Sequence, residues 1–273
     1  MTRLTAAALL LLAAATAALP ARAQKDVVNA KMLGLGAVNI LDTYLSAEHY
    51  RGTELRFVDH TTRRRPCAAD SASPSPWSTV LIHQAHLTLS RPRSHDGREI
   101  GGLYAFALGR RYRFALCGGR LTIDAGAQAE AGIGFLYNTR NSNNPAQARL
   151  YLDISPAALA AYRFEAWSRP FTVSYEVAAP LVGLMFSPNY GQSYYEIFSR
   201  GNYDHNIILT TPFSAPSLRH TLTLDVALGA TTLRLGYLGD IRQASVNHLK
   251  YHTYSHLFAI GLVRRFQITP RRP

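Results

Sequence analysis

Residues 121–137 read LTIDAGAQAEAGIGFLY. Leu121, Ile123, Ala125, Ala127, Ala129, Ala131, Ile133, Phe135 and Tyr137 alternate with Thr122, Asp124, Gly126, Gln128, Glu130, Gly132 and Gly134. A repeat of two is the mark of a strand with one apolar and one polar face, because successive side chains of extended backbone point to opposite sides. The glycines speak against a helix. At about 3.3 Å per residue the run is far longer than the usual soluble strand of about five or six residues. A membrane-crossing strand needs only about nine to eleven, so this stretch can cross a bilayer and protrude.

The alternation recurs along the chain. Phe171, Val173, Tyr175, Val177, Ala179 and Leu181 form one apolar row, and Leu218, Leu222, Leu224, Val226 and Leu228 a second. Leu233, Leu235 and Tyr237 form a third, and Tyr254, Phe258, Ile260, Leu262 and Phe266 a fourth. Tight turns are expected at 117–120, 167–170 and 229–231, and longer polar links at 91–98, 138–149, 187–217 and 243–251. Short turns at one end and long loops at the other describe an all-β, antiparallel outer-membrane β-barrel with periplasmic turns and extracellular loops. Ten strands are expected, at 31–41, 52–60, 78–90, 99–116, 120–138, 150–166, 170–186, 218–229, 231–242 and 252–266. The first two are the weakest, which leaves eight or twelve as alternatives. Trp77, Phe164, Trp167, Phe171 and Phe266 fall near one set of strand ends, and Phe135, Tyr137, Phe186 and Tyr254 near the other, as two interfacial girdles. A soluble β-sandwich is the competing fold, and strand length disfavours it.

The start of the chain reads as a secretory leader. A charged Met1-Thr2-Arg3 precedes an Ala/Leu run, and Ala21-Arg22-Ala23 is an A-x-A cleavage site. Three units follow: a signal peptide at 1–23, a barrel at 24–266 and a short basic tail at 267–273. No later apolar run is long enough for a membrane helix. The 273 residues carry a formal charge of +12, and every cation except Lys25, Lys31 and Lys250 is arginine. These arginines are dispersed, without the clustered spacings of nucleic-acid binders, so no nucleic-acid partner is expected. Apolar residues at 47% and charged residues at 17% exclude a disordered chain.

The long polar links carry a resemblance. Asn138-Thr139-Arg140-Asn141-Ser142-Asn143-Asn144-Pro145, Ser187-Pro188-Asn189-Tyr190-Gly191-Gln192-Ser193-Tyr194-Tyr195-Glu196, Gly201-Asn202-Tyr203-Asp204-His205-Asn206 and Lys250-Tyr251-His252-Thr253-Tyr254-Ser255-His256 are similar to an uncharacterised family of Bacteroidetes outer-membrane proteins, a domain of unknown function. The resemblance implies a barrel fold and an outer-membrane location, and it supplies no activity.

Polar faces turned inward place Asp124, Glu130, Asp153, Glu165, Glu176, Asp225 and Asp240 in the lumen with Arg111, Arg113, Arg163, Arg219, Arg234 and Arg242. A barrel of about ten strands is narrow enough for side chains to fill. Near-balanced charge therefore suits a plugged lumen of ion pairs better than a conducting pore, which calls for one excess sign at a constriction. The link at 187–217 displays Tyr190, Tyr194, Tyr195, Phe198, Tyr203 and Phe213 among amides and hydroxyls, a composition suited either to glycan or peptide recognition or to packing of the loop on itself.

Histidine raises two sharper ideas. His248, His252 and His256 recur every fourth residue, but on a strand they span about 26 Å, too far for one metal ion; no metal or cofactor is expected. A lipid hydrolase would draw on His205 with Asp204 or Asn206 and one of Ser187, Ser193 or Ser199, or on outward-facing His220 or His256. No nucleophile-elbow spacing supports it. Cys67 and Cys117 fall at the same end of the barrel, where export permits one disulfide. The expected role is a surface structural or recognition barrel, with a narrow channel or an outer-membrane lipid hydrolase as alternatives. The expected partners are outer-membrane lipid, the barrel-assembly machinery that reads a terminal aromatic such as Phe266, and a surface glycan or peptide.

Overall fold

A computed structural model describes residues 25–66, 74–229 and 231–268. Twelve strand segments run in order: β1 (Lys25–Asp42), β2 (Ser46–Pro66), β3 (Pro74–Pro92), β4 (Glu99–Leu116), β5 (Leu121–Asn138), β6 (Ala146–Ala166), β7 (Arg169–Ala178), β8 (Val182–Phe186), β9 (Ile207–Thr210), β10 (Ser217–Leu228), β11 (Thr231–Val246) and β12 (Leu249–Ile268). Among the described residues the one α-helix is short, α1 (Tyr194–Phe198), and a 3-10 turn at Cys117–Gly119 joins β4 to β5. All neighbours are antiparallel. β7 and β8 both pair with β6, while β9 and β10 pair with β8 and β7, so each of these couples is one interrupted crossing. The sheet therefore has ten crossings, and it closes through β1 with β12 and β5 with β6.

The register fixes the shape. A walk along paired residues leaves β6 at Ala158 and passes Val177, His220, Gly239, His256, Ala37, Thr53, Leu89, Ile100 and Tyr137. It returns to β6 at Ala146, twelve residues along. Ten strands with a shear of twelve tilt by about 40°. Both described chain ends lie at one rim, here the proximal end, where Val27 pairs with Phe266. Turns β4–β5, β6–β7 and β10–β11 share that end.

The two faces of the wall are inverted relative to a soluble protein. Leu33, Leu35, Leu87, Ile133, Leu152 and Phe258 are exposed on the outside, whereas Arg56, Arg111, Glu54, Glu99 and Asp240 are buried within. In β5 the odd-numbered apolar residues face out and Thr122, Asp124, Gln128 and Glu130 face in. Exposing that much contiguous apolar surface to water is unfavourable. A closed wall with every central backbone group paired and a polar interior is how strands cross a bilayer. No helix of the described residues is long and apolar enough to cross one. Rings gather at the proximal rim, with Trp77 at 5.2 Å from Tyr112, Phe164 at 5.5 Å from Phe171 and Trp167 at 5.9 Å from Phe171.

Several boundaries differ from the sequence reading. The first two strands run far beyond 31–41 and 52–60. Pairing to partners, which no local pattern reports, extends them. The expected link at 243–251 is instead a two-residue turn, with Asn247 and His248 both at positive φ (51° and 60°), the conformation that matches strand twist in a tight hairpin. The link at 187–217 contains α1 and the strand segment β9. The row through Phe171 and Val177 does not continue unbroken to 186. Val177 pairs with Ala158 and Val182 with Ile154, so five residues oppose four, and the outward positions change from odd to even at Val182 and Leu184. Pro180 lies in this bulge, where a residue without an N–H is tolerated. The expected leader at 1–23 and most of the expected tail at 267–273 lie outside the described residues. So does Cys67; Cys117 is exposed in the β4–β5 turn.

Candidate functional site

The lumen is crossed by stacked ion pairs. Nearest the proximal end, Arg113 grips Asp124 with two bonds of 2.6 Å and Arg64 adds a third of 2.8 Å. On the other side of the lumen Arg234 holds Asp225 the same way, at 2.6 and 2.7 Å. Further in, Arg111 donates to Glu176 at 2.5 Å and to Gln128 at 3.1 Å. At mid-height Glu130 accepts from Arg219, Arg242 and the Tyr151 hydroxyl, the last at 2.9 Å. Arg242 also reaches Asp153 at 3.3 Å. Asp240 takes a 2.6 Å bond from Arg56, whose Nε donates to Glu54, also at 2.6 Å.

Strand geometry explains the contacts. Inward residues two apart on one strand, such as Glu54 and Arg56, share a face, and directly opposed inward residues such as Arg113 and Asp124 or Arg234 and Asp225 meet across a ladder. Gly132 stands opposite Tyr151. The Tyr151 ring occupies the space that a Cβ there would need, which lets its hydroxyl reach Glu130. Charge-assisted bidentate pairs of this kind are strong and directional, and buried charges that lack a partner are costly.

Of the thirteen residues that the sequence turns inward, eleven line the interior or its ion pairs: Asp124, Glu130, Asp153, Glu176, Asp225, Asp240, Arg111, Arg113, Arg219, Arg234 and Arg242. Arg163 lies at the proximal mouth of the lumen, and Glu165 is exposed at the proximal rim. Missing from the sequence reading were Glu54 and Arg56, two of the most deeply buried side chains, and the Asp42–Arg149 pair near the distal rim. The run Glu54-Leu55-Arg56-Phe57 does alternate, with Leu55 and Phe57 facing out, so a signal existed in the strand judged weakest.

The segment 187–206 forms a cap on the distal rim. Helix α1 starts with a capping box: the Ser193 hydroxyl accepts from the Glu196 N–H, and the Glu196 carboxylate accepts from the Ser193 N–H at 2.7 Å. Those bonds hold the Glu196 carboxyl below the ordinary glutamate range. Gln192, buried, accepts from Asn206 at 2.7 Å and donates to the Asn202 carbonyl at 3.0 Å. Its own carbonyl accepts from the Tyr44 hydroxyl at 3.0 Å, tying the cap to the β1–β2 turn. Tyr194 donates to Gln147 and accepts from the Ala148 N–H, both at 2.7 Å, and packs against Tyr44 and Phe198. The structure therefore separates the loop aromatics. Tyr194 anchors the cap on the barrel, while Tyr190, Tyr195, Phe198 and Tyr203 are 74%, 62%, 62% and 64% exposed.

The histidine and serine candidates do not assemble. Asp204 and His205 form an exposed local pair at 2.6 Å. Ser193 is engaged in the capping box, and Ser187 is buried against the Pro188 carbonyl. Among the described residues no serine hydroxyl bonds to His205, His220 or His256. His256 instead shares a 2.6 Å bond with Tyr237 on the outer face, and His252 stacks on Tyr254 at 4.4 Å. No group of three metal-ligating side chains occurs among the described residues.

None of the curated proteins matches the sequence. Solved barrels resemble the fold. The outer membrane protease OmpT from Escherichia coli covers 92% of this chain and 100% of its own, at 8% identity and a TM-score of 0.41. The transport unit of the autotransporter AIDA-I from Escherichia coli covers 95% and 97%, at 6% identity and 0.43. The translocator domain of NalP from Neisseria meningitidis covers 96% and 95%, at 8% identity and 0.36. Residues 4–273 match one family along nearly their whole length. The chain is a closed antiparallel β-barrel that belongs to the family of proteins of unknown function DUF3316.

Proposed function

We propose that this barrel is a closed, surface-displayed recognition protein of a Gram-negative outer membrane. On this reading a leader at 1–23 is cleaved on export, the proximal end faces the periplasm and the distal cap faces the medium. Outer-membrane lipid covers the apolar belt, and the assembly machinery reads the C-terminal aromatic Phe266. The cap binds a surface glycan or a peptide through Tyr190, Tyr195, Phe198 and Tyr203. One observation carries the reading: Tyr194, Gln192 and Asn206 fix the cap to the rim while four other rings stay exposed. A rigid loop presenting aromatic faces has little ordering cost left on binding.

Conduction is disfavoured by the stacked pairs of Arg56, Arg219, Arg242, Glu130 and Asp240, which fill the mid-height of the lumen with both signs of charge. Two measurements test the proposal. Single-channel recording of the refolded protein, intact and with 188–205 replaced by a short linker, is expected to be silent in both forms. A glycan and peptide array is expected to give hits that Tyr190→Ser, Tyr195→Ser and Tyr203→Ser together abolish without loss of barrel stability. Steady conductance of the intact protein, or undiminished array binding by the triple variant, would overturn it.

A further inference from the structure

Below the mid-height plug the lumen is hollow. A cavity of about 660 Å³ runs from the proximal ends of the strands up to Gln84, Arg219 and Leu238, a size within the usual range for small-molecule sites. Its two ends differ in chemistry. The inner end is walled by Met32, Val58, Ile82 and Leu238, part of one buried apolar cluster. The mouth carries five arginines: Arg64, Arg113, Arg163, Arg234 and Arg265.

Among the described residues the mouth is not charge-balanced. Facing these five guanidiniums are Asp26, Asp124 and Asp225. Asp124 is shared by Arg113 and Arg64, and Asp225 is held by Arg234. Deeper in, Glu176 is taken by Arg111 and Arg219 by Glu130. Among the described residues no carboxylate lies within 4.0 Å of Arg163 or Arg265. Two guanidiniums without a carboxylate partner among the described residues, Arg163 on β6 and Arg265 on β12, line the mouth of an apolar chamber and polarise the cavity. Arginine's planar fork suits a tetrahedral oxyanion, and a doubly charged head would offset the excess. Arg234 and Leu238 stand four residues apart on β11, about 13 Å along the strand, which sets the span from head to body.

We propose that this cavity is a binding site for a small organic phosphate, which enters from the proximal end with its apolar body against Met32, Val58, Ile82 and Leu238 and its phosphate on Arg163 and Arg265. The site is independent of the distal cap.

The test uses the full barrel refolded in maltoside micelles and titrated by calorimetry with 1-naphthyl phosphate, with 1-naphthol and with inorganic phosphate. The ester is expected to bind at least tenfold more tightly than either fragment. Arg163→Gln with Arg265→Gln is expected to weaken it at least tenfold with an unchanged melting temperature, since both side chains are exposed at the mouth. Ala161→Trp, which fills the chamber from its wall, is expected to abolish binding, whereas Arg91→Gln on the distal outer face leaves it unchanged. Naphthol binding as tightly as the ester would show partition into an apolar space only. Equal ester affinity in the double arginine variant would likewise overturn the proposal.

Discussion

Glu130 is the hub of the mid-height plug, and its removal gives a quantitative test of how the lumen is held. Its carboxylate accepts from Arg219, Arg242 and Tyr151, and its side chain is 3% exposed. Glu130→Gln keeps the volume and removes the charge. Arg242 retains Asp153 at 3.3 Å and Asp240 at 3.6 Å, but Glu130 is the only carboxylate within 4.0 Å of Arg219 among the described residues. The substitution therefore strands one buried cation, a loss of about 3–5 kcal/mol. Glu48→Gln is the comparator. Its partner Arg140 is 2.8 Å away, but the two side chains are 40% and 48% exposed, and such pairs contribute about 0–1 kcal/mol. Adding Arg219→Met to Glu130→Gln removes the stranded charge and is expected to recover most of the loss, because replacing both partners is far milder than removing one. Equilibrium unfolding in urea of the barrel refolded into vesicles, followed by Trp77 and Trp167 fluorescence, measures all four proteins. A Glu130→Gln loss no larger than that of Glu48→Gln, or a double variant no more stable than Glu130→Gln alone, would refute the reasoning.

Three further predictions concern the cap and the outer wall. Tyr194→Ala is expected to destabilise the cap by about 2 kcal/mol through its two lost hydrogen bonds and ring contacts, whereas Tyr195→Ala leaves stability within about 0.5 kcal/mol; limited proteolysis of 187–206 distinguishes them. The Glu196 carboxyl is held below its ordinary value, first by the Ser193 N–H, so its support of α1 is complete above the ordinary pKa of 4.5 and is lost as pH falls through the lower folded value. The protection factor of the Ser193 amide, its exchange rate corrected for the intrinsic pH dependence, should fall on acidification, and Glu196→Gln should blunt that response. Phe258→Arg, at the most exposed ring of the β12 outer row, is expected to cost about 2–4 kcal/mol in vesicles if it lies at the bilayer midplane, and Arg at Trp77 near the rim only about 0–1. The same urea assay reads both.

The membrane-crossing wall was legible in the sequence because alternation is a local property. Residues 121–137 report their two faces without reference to any partner, and the rows through Leu222, Leu235 and Phe258 do the same. The sign of the lumen residues is equally local, since Asp124 and Glu130 share the parity of the polar face. Three things were decided only by tertiary structure. The ends of β1 and β2 depend on the partners that extend them. The parity change at Pro180 depends on five residues of one strand opposing four of another. The identity of each ion pair depends on closure: Arg56 meets Asp240 across 184 residues of sequence because β1 pairs with β12 and the twelve-residue shear brings those two positions to the same height. A one-residue change in that shear would turn every opposed side chain to the wrong face. Which residues face the lumen is thus written in each strand, whereas which of them touch is set by the register of the closed sheet.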